Sequence, residues 1–81
     1  MREFIDLAID NLIKFRQASL WTDNGNQYVI DDALDYVNGE EGYYMCSELG
    51  NIMYDDEEVI VSDLIKYIEG AGEKVTEVTV D

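Results

Sequence analysis

Apolar residues recur at helical spacing over the first part of the chain. Phe4, Ile5, Ala8, Leu12 and Phe15 fall on one face, and Leu7 and Ile9 widen the stripe, so the pattern predicts a helix over residues 2 to 20. Glu3 and Asp6 at its start and Lys14 and Arg16 towards its end carry the signs that a helix macrodipole favours. The period breaks at TDNGN, residues 22 to 26, where Asn24 and Gly25 tolerate the positive φ of a tight reversal.

Beyond that turn the pattern shortens. Gln27 to Ile30 reads as a short strand, and DDALDYVN, residues 31 to 38, as a short helix. Asp31 or Asp32 would cap that helix, Ala33, Leu34 and Val37 would form its apolar side, and Gly39 would end it. Residues 42 to 47 and 51 to 55 predict two strands around a turn at Leu49, Gly50 and Asn51, because Tyr43, Tyr44, Ile52 and Tyr54 favour strands. Val61, Leu64, Ile65 and Ile68 keep the spacing of one helical face and predict a second long helix over 57 to 69, stopped by Gly70 and Gly72. A start at Ser62 would shorten it and leave VIV, residues 59 to 61, as strand. KVTEVTV, residues 74 to 80, predicts a final strand with Thr76, Val78 and Val80 on one face. These elements make an α+β fold, an N-terminal helix and a second long helix packed on a small antiparallel sheet, in a single domain over residues 1 to 81.

Composition agrees with one modest core. The 81 residues are 47% hydrophobic, and six Tyr, two Phe and one Trp set the chain apart from acidic disordered sequences, which are poor in aromatics. There is no Pro, no low-complexity block and no internal repeat. Glu3, Asp6 and Asp10 interrupt the first stretch, MREFIDLAIDNLIKFRQ, so it offers no unbroken apolar run for a signal peptide or membrane span, and the expected location is the cytosol. A lone cysteine, Cys46, agrees with a reducing compartment and reads as a small buried apolar side chain.

Charge changes the picture most. The net charge is -14 and the pI near 4.1. All five bases, Arg2, Lys14, Arg16, Lys66 and Lys74, lie towards the ends, whereas the 49 residues from Gln17 to Ile65 hold twelve acids and no Lys or Arg. The self-repulsion of such a block is relieved by a positive partner, and direct nucleic-acid or anionic-membrane binding is disfavoured. Within MYDDEEVIV, Asp55 to Glu58 stand where the second helix should start, so capping and the dipole account for one or two of the four.

Catalytic and metal chemistry find little support. Without His there is no ordinary Ser-His or Cys-His nucleophile, and no Gly-rich phosphate loop occurs. A calcium loop over LWTDNGNQYVID has Gly25 at its sixth position but Leu20 and Thr22 where ligands belong, and one Cys with no His excludes a zinc site. No cofactor is expected. Acyl carrier proteins share the size and acidity, but the serines here stand in ASL, CSE and VSD rather than in an Asp-Ser-Leu before a helix.

Length, extreme acidity, a small α+β core and interleaved tyrosines and acids resemble small phage-encoded nucleic-acid mimics that block restriction enzymes, CRISPR effectors or other DNA-binding proteins. DNGNQYVI, residues 23 to 30, is similar to a segment of the type II-A anti-CRISPR proteins of Listeria prophages. The resemblance implies a DNA mimic acting in a host bacterial cytosol, whose partner is a basic nucleic-acid-binding protein such as a nuclease or CRISPR effector. Carboxylates at a density near that of duplex DNA, about one charge per 1.7 Å of axis, would occupy the Lys/Arg surface of the partner. The candidate contacts are Asp31, Asp32, Asp35, Glu40, Glu41, Asp55, Asp56, Glu57 and Glu58, with Tyr43, Tyr44 and Tyr54 as candidate aromatic anchors, although core packing is the favoured reading for each tyrosine. An immunity protein or antitoxin against a basic nuclease would use the same physics. An assembly protein would instead form a homodimer or larger oligomer through Phe4, Ile5, Leu12 and Phe15.

Overall fold

The first helix stops short of the length that its spacing predicts. In the computed structural model, which describes residues 2–33 and 42–80, α1 spans Arg2–Phe15 and β1 spans Ala18–Thr22. Arg16 closes the helix with φ 60°, its N–H still reaching the Leu12 carbonyl at 2.9 Å, and this left-handed residue turns the chain out of the helix. Ala18, Ser19, Leu20 and Thr22 are then buried and Trp21 half-buried, as expected of a strand in the middle of the sheet rather than of a helix with one wet side.

A tight hairpin joins β1 to β2 (Gln27–Asp32). Gly25 adopts φ 79°, and Leu20 pairs with Tyr28 and Ala18 with Ile30. β2 runs further than predicted. Asp31 and Asp32 pair with Met45 and Tyr44 of β3 (Tyr44–Met45), so they are strand residues and do not cap a helix at 31 to 38. The remainder of that expected helix, with Gly39, lies outside the described residues. The two strands expected over 42 to 47 and 51 to 55 contract to β3 and a single two-way bridge between Tyr44 and Tyr54, with N–H···O distances of 2.7 and 2.8 Å. Between them stand a 3-10 turn, Ser47–Leu49, and two successive left-handed residues, Gly50 (φ 83°) and Asn51 (φ 59°).

α2 spans Glu57–Gly70, close to its predicted limits, and Asp56 rather than Ser62 caps it. The Asp56 carboxylate accepts from the N–H groups of Glu58 (2.8 Å) and Val59 (3.2 Å), and residues 59 to 61 are helical rather than strand. Gly72, at φ 79°, ends it: its N–H reaches the Glu69 carbonyl and the Glu73 N–H reaches that of Ile68.

β4 (Val75–Thr79) pairs antiparallel with β1, giving the sheet order β3-β2-β1-β4. The expected face of Thr76, Val78 and Val80 is not formed. Trp21 pairs with Glu77 and Thr22 with Val75, so Thr76 is an extra residue in the ladder, and this bulge turns Val75 and Val78 inward together while Thr76 and Val80 are exposed. Both helices lie on one face of the sheet. Ala8 and Leu12 of α1, Ile60, Val61, Leu64 and Ile68 of α2, and Leu20, Ile30, Tyr44 and Val78 of the sheet meet in the core. No described helix is long and apolar enough to cross a membrane.

Candidate functional site: an acidic sheet edge

Register brings the two described acidic groups to the same side of the molecule. Asp32 pairs with Tyr44, Tyr44 bridges to Tyr54, and Tyr54 leads directly into Asp55 and the α2 cap. Strands lie roughly 4.8 Å apart, so the backbone at Asp32 and that at Tyr54 are about 10 Å apart, although 21 residues intervene in sequence. Asp31, Asp55, Asp56 and Glu58 are exposed, and Asp32 and Glu57 half-buried. Asp35, Glu40 and Glu41 lie outside the described residues.

Bases reach this acidic set at two places: Arg2 and Lys66 share a cavity with Glu58, and Arg16 enters at Asp32. The Arg16 guanidinium donates to Asp32 Oδ1 at 3.1 Å, to the Tyr44 hydroxyl at 2.9 Å and to the Tyr43 carbonyl at 3.3 Å, and it stands 4.5 Å from the centre of the Tyr44 ring. A planar fork with several donors suits such a multi-acceptor site, and it holds the end of α1 against β2 and β3. The chain from Gln17 to Ile65 lacks bases, but the folded edge does not. Arg2 and Lys14, by contrast, pair within α1 with Asp6 and Asp10, at 3.5 and 3.0 Å on an exposed face where such pairs add little.

The three tyrosines divide in role. Tyr44, 1% exposed, is a core residue whose hydroxyl donates to the Leu12 carbonyl at 3.3 Å. Burial pushes its pKa up, against the pull of Arg16. It is therefore corrected from the anchor set, because a ring enclosed by the protein's own core has no surface to offer. Tyr54 is half-buried and donates to Asp63 at 3.0 Å, and burial, then this bond to a carboxylate, raises its pKa. Tyr43 is half-buried, and its carbonyl is held by Arg16 and by the Ala33 N–H.

The apolar surface at this edge comes from residues the spacing assigned to a strand. Ile52 is 58% and Met53 42% exposed, at the tip between the left-handed Gly50-Asn51 pair and the Tyr54 bridge. The Gly-Asn dipeptide was the available signal, since both residues adopt left-handed backbone readily and so mark a loop rather than a continuing strand. Asn51 also borders a cavity of about 220 Å³ shared with Asp31, Asp32 and Met45. Along the chain the apolar tip thus lies between Asn51, at the cavity of Asp31 and Asp32, and the Asp55–Glu58 run.

A different set of acids is tied into the fold. Glu73 accepts from the hydroxyls of Thr22 (2.6 Å) and Tyr28 (2.7 Å) and from the Asn26 amide (2.8 Å), which clamps the α2–β4 loop onto the β1–β2 hairpin. Those donors, Thr22 foremost, lower the Glu73 pKa, while the bond to Glu73 and burial push Tyr28 up to about 12. Cys46 is buried, and desolvation pushes its thiol up to about 11, the behaviour of an inert packing residue. Among the described residues, no three His, Cys, Asp or Glu side chains are grouped to hold a metal ion. Comparison with protein-family models, with curated proteins and with solved structures finds no match for this chain.

Proposed function

We propose that this protein is an acidic inhibitor that occupies the positively charged nucleic-acid-binding surface of another protein, as a DNA mimic of the anti-CRISPR or anti-restriction type would. The observation that carries this reading is the edge itself: antiparallel pairing brings the strand that carries exposed Asp31 within about two strand spacings of Tyr54, which leads into exposed Asp55 and Asp56, in a protein of net charge -14. A catalytic role draws no support from this surface, whose tyrosines and cysteine are held in structural bonds or buried. Carboxylates fixed on a folded edge present charge without the ordering cost of a flexible acidic tail, and long-range attraction then accelerates encounter with a basic partner.

The test is a competition assay over a purified panel: a type II CRISPR effector nuclease with its guide RNA, a restriction endonuclease, and a single-stranded-DNA-binding protein. Displacement of labelled DNA from at least one member, weakening at least tenfold between about 50 and 200 mM salt, is expected for a mimic with several charge contacts. No displacement from any member, or displacement insensitive to salt, overturns the reading.

A second reading rests on α1. Leu12 is in the core and Phe4 and Ile5 pack against it, so the stripe expected to drive assembly is largely taken up, but Ile13 and Phe15 are each 60% exposed. Self-association through them would show as a mass that rises with concentration and falls back to monomer in Ile13→Ser/Phe15→Ser.

A further inference from the structure

We infer that the Ile52-Met53 tip is the affinity anchor of the acidic edge, and that the surface it fits is a single-strand track, with an apolar or aromatic platform beside a row of Lys and Arg. The inference rests on the inhibitor reading and specifies which class of nucleic-acid site is imitated.

The backbone holds the tip out. Gly50, at φ 83°, caps the 3-10 turn through its N–H to the Ser47 carbonyl at 3.0 Å, and Asn51 follows at φ 59°. Three residues later the chain is fixed again, because Tyr54 exchanges two backbone hydrogen bonds with Tyr44. The short span between two fixed points leaves Ile52 and Met53 exposed, whereas the neighbouring Leu49 and Tyr54 pack against the core.

The surroundings identify the partner's chemistry. Asp55, Asp56 and Glu58 follow the tip within six residues, and Asp31 and Asp32 face Asn51 across the small cavity. An apolar knob followed directly by carboxylates complements a recess bordered by cations. A surface that grips duplex phosphates offers mainly charge and polar donors, with little for two aliphatic side chains to displace. A single-strand track instead alternates cationic contacts with platforms on which bases stack, each stacked base being worth about 1–3 kcal/mol. On such a track Ile52 and Met53 take the place of an unstacked base and the following carboxylates take the place of phosphates. Burying the pair slows dissociation, while the carboxylates set the association rate.

The experiment uses the full chain and the same three-member panel, with Ile52→Ser/Met53→Ser as the test variant and Leu7→Ser, an exposed apolar residue of α1, as control. Against a panel member whose single-stranded oligonucleotide the wild-type protein displaces, the tip variant is expected to bind at least tenfold more weakly, through faster dissociation. Its salt dependence should match the wild type, and Leu7→Ser should bind as the wild type does. Circular dichroism and an unchanged melting transition confirm that the tip variant is folded, as two exposed side chains should allow. Wild-type displacement with an unaltered tip variant overturns the anchor and leaves the inhibitor reading standing. Displacement of duplex probes alone overturns the single-strand assignment, and no displacement of any probe overturns both readings.

Discussion

At the β1–β2 hairpin, the Glu73 carboxylate takes three donors within 2.8 Å and its charge is fully engaged in holding a loop to a turn. Near the β3 edge, Asp31 receives one 3.4 Å contact from the Gln17 amide, and Asp55 stands exposed next to the Tyr54 bridge on the far side of β3. The same functional group thus serves as joinery in one region and as presented charge in the other. The difference lies in donors: the hairpin supplies two hydroxyls and an amide aimed at one carboxylate, whereas the Arg16 guanidinium at the β3 edge is shared among three acceptors. A net charge of -14 therefore overstates the charge available to a partner and says nothing of where it lies.

Removing the guanidinium should break this contrast most forcefully. Arg16→Ala leaves half-buried Asp32 without its cation and the Tyr44 hydroxyl short of a donor, and should lower stability by about 2–3 kcal/mol in urea denaturation. Arg16→Gly loses the same contacts but accepts φ 60° freely, so it should be milder than Arg16→Ala by about 1 kcal/mol. Equal losses would show that backbone strain at this helix end is negligible.

At the hairpin the contrast can be titrated. Because the folded Glu73 pKa lies below its ordinary value, the clamp contributes fully above the usual carboxylate range, about 4.3, and its contribution is lost as pH falls through the lowered folded value. Glu73→Gln should be less stable than the wild type at pH 7, with the gap closing as pH falls from the usual carboxylate range through the lowered folded value and the native carboxyl becomes neutral too. Tyr28 acts at the opposite limit. Its raised pKa makes the neutral phenol stabilising below about pH 10, an effect lost as pH climbs towards 12. Thermal melts across both ranges would measure these slopes, and a constant gap between the proteins at every pH would contradict the clamp.

The smallest effects separate two neighbours. Asp56→Ala removes an N-cap and should cost about 1 kcal/mol, whereas Asp55→Ala, with no such bond, should stay within about 0.5 kcal/mol. Both variants should slow association with a basic partner, so comparable stability losses would mean that the cap is not what distinguishes them.

What was legible in the sequence follows the range of the interactions. α2 could be read almost to the residue because its apolar stripe, its acidic start and its Gly72 stop are local. The end of α1 could not, since the left-handed Arg16 is retained by contacts with Asp32, Tyr43 and Tyr44, which are remote in sequence. Asp31 and Asp32 look like caps until a pairing partner exists, and the partner, β3, is two residues long. The acidic run could be identified as candidate surface, but its proximity to Asp31 depends on register, and Arg16 entering a base-free interval is invisible to any count along the chain.

Thr76, the extra residue in β4, bears on how this protein behaves in company. KVTEVTV is rich in β-branched residues, free of proline and placed on an outermost strand, a combination that invites fibril-like templating by other chains. With Thr76 out of step, the outer row of amide and carbonyl groups is bent and interrupted, and an incoming strand would find its rungs mismatched after two or three residues. Resistance to aggregation is thereby built into backbone geometry as well as into charge, and it should persist at salt concentrations that screen the repulsion between acidic molecules.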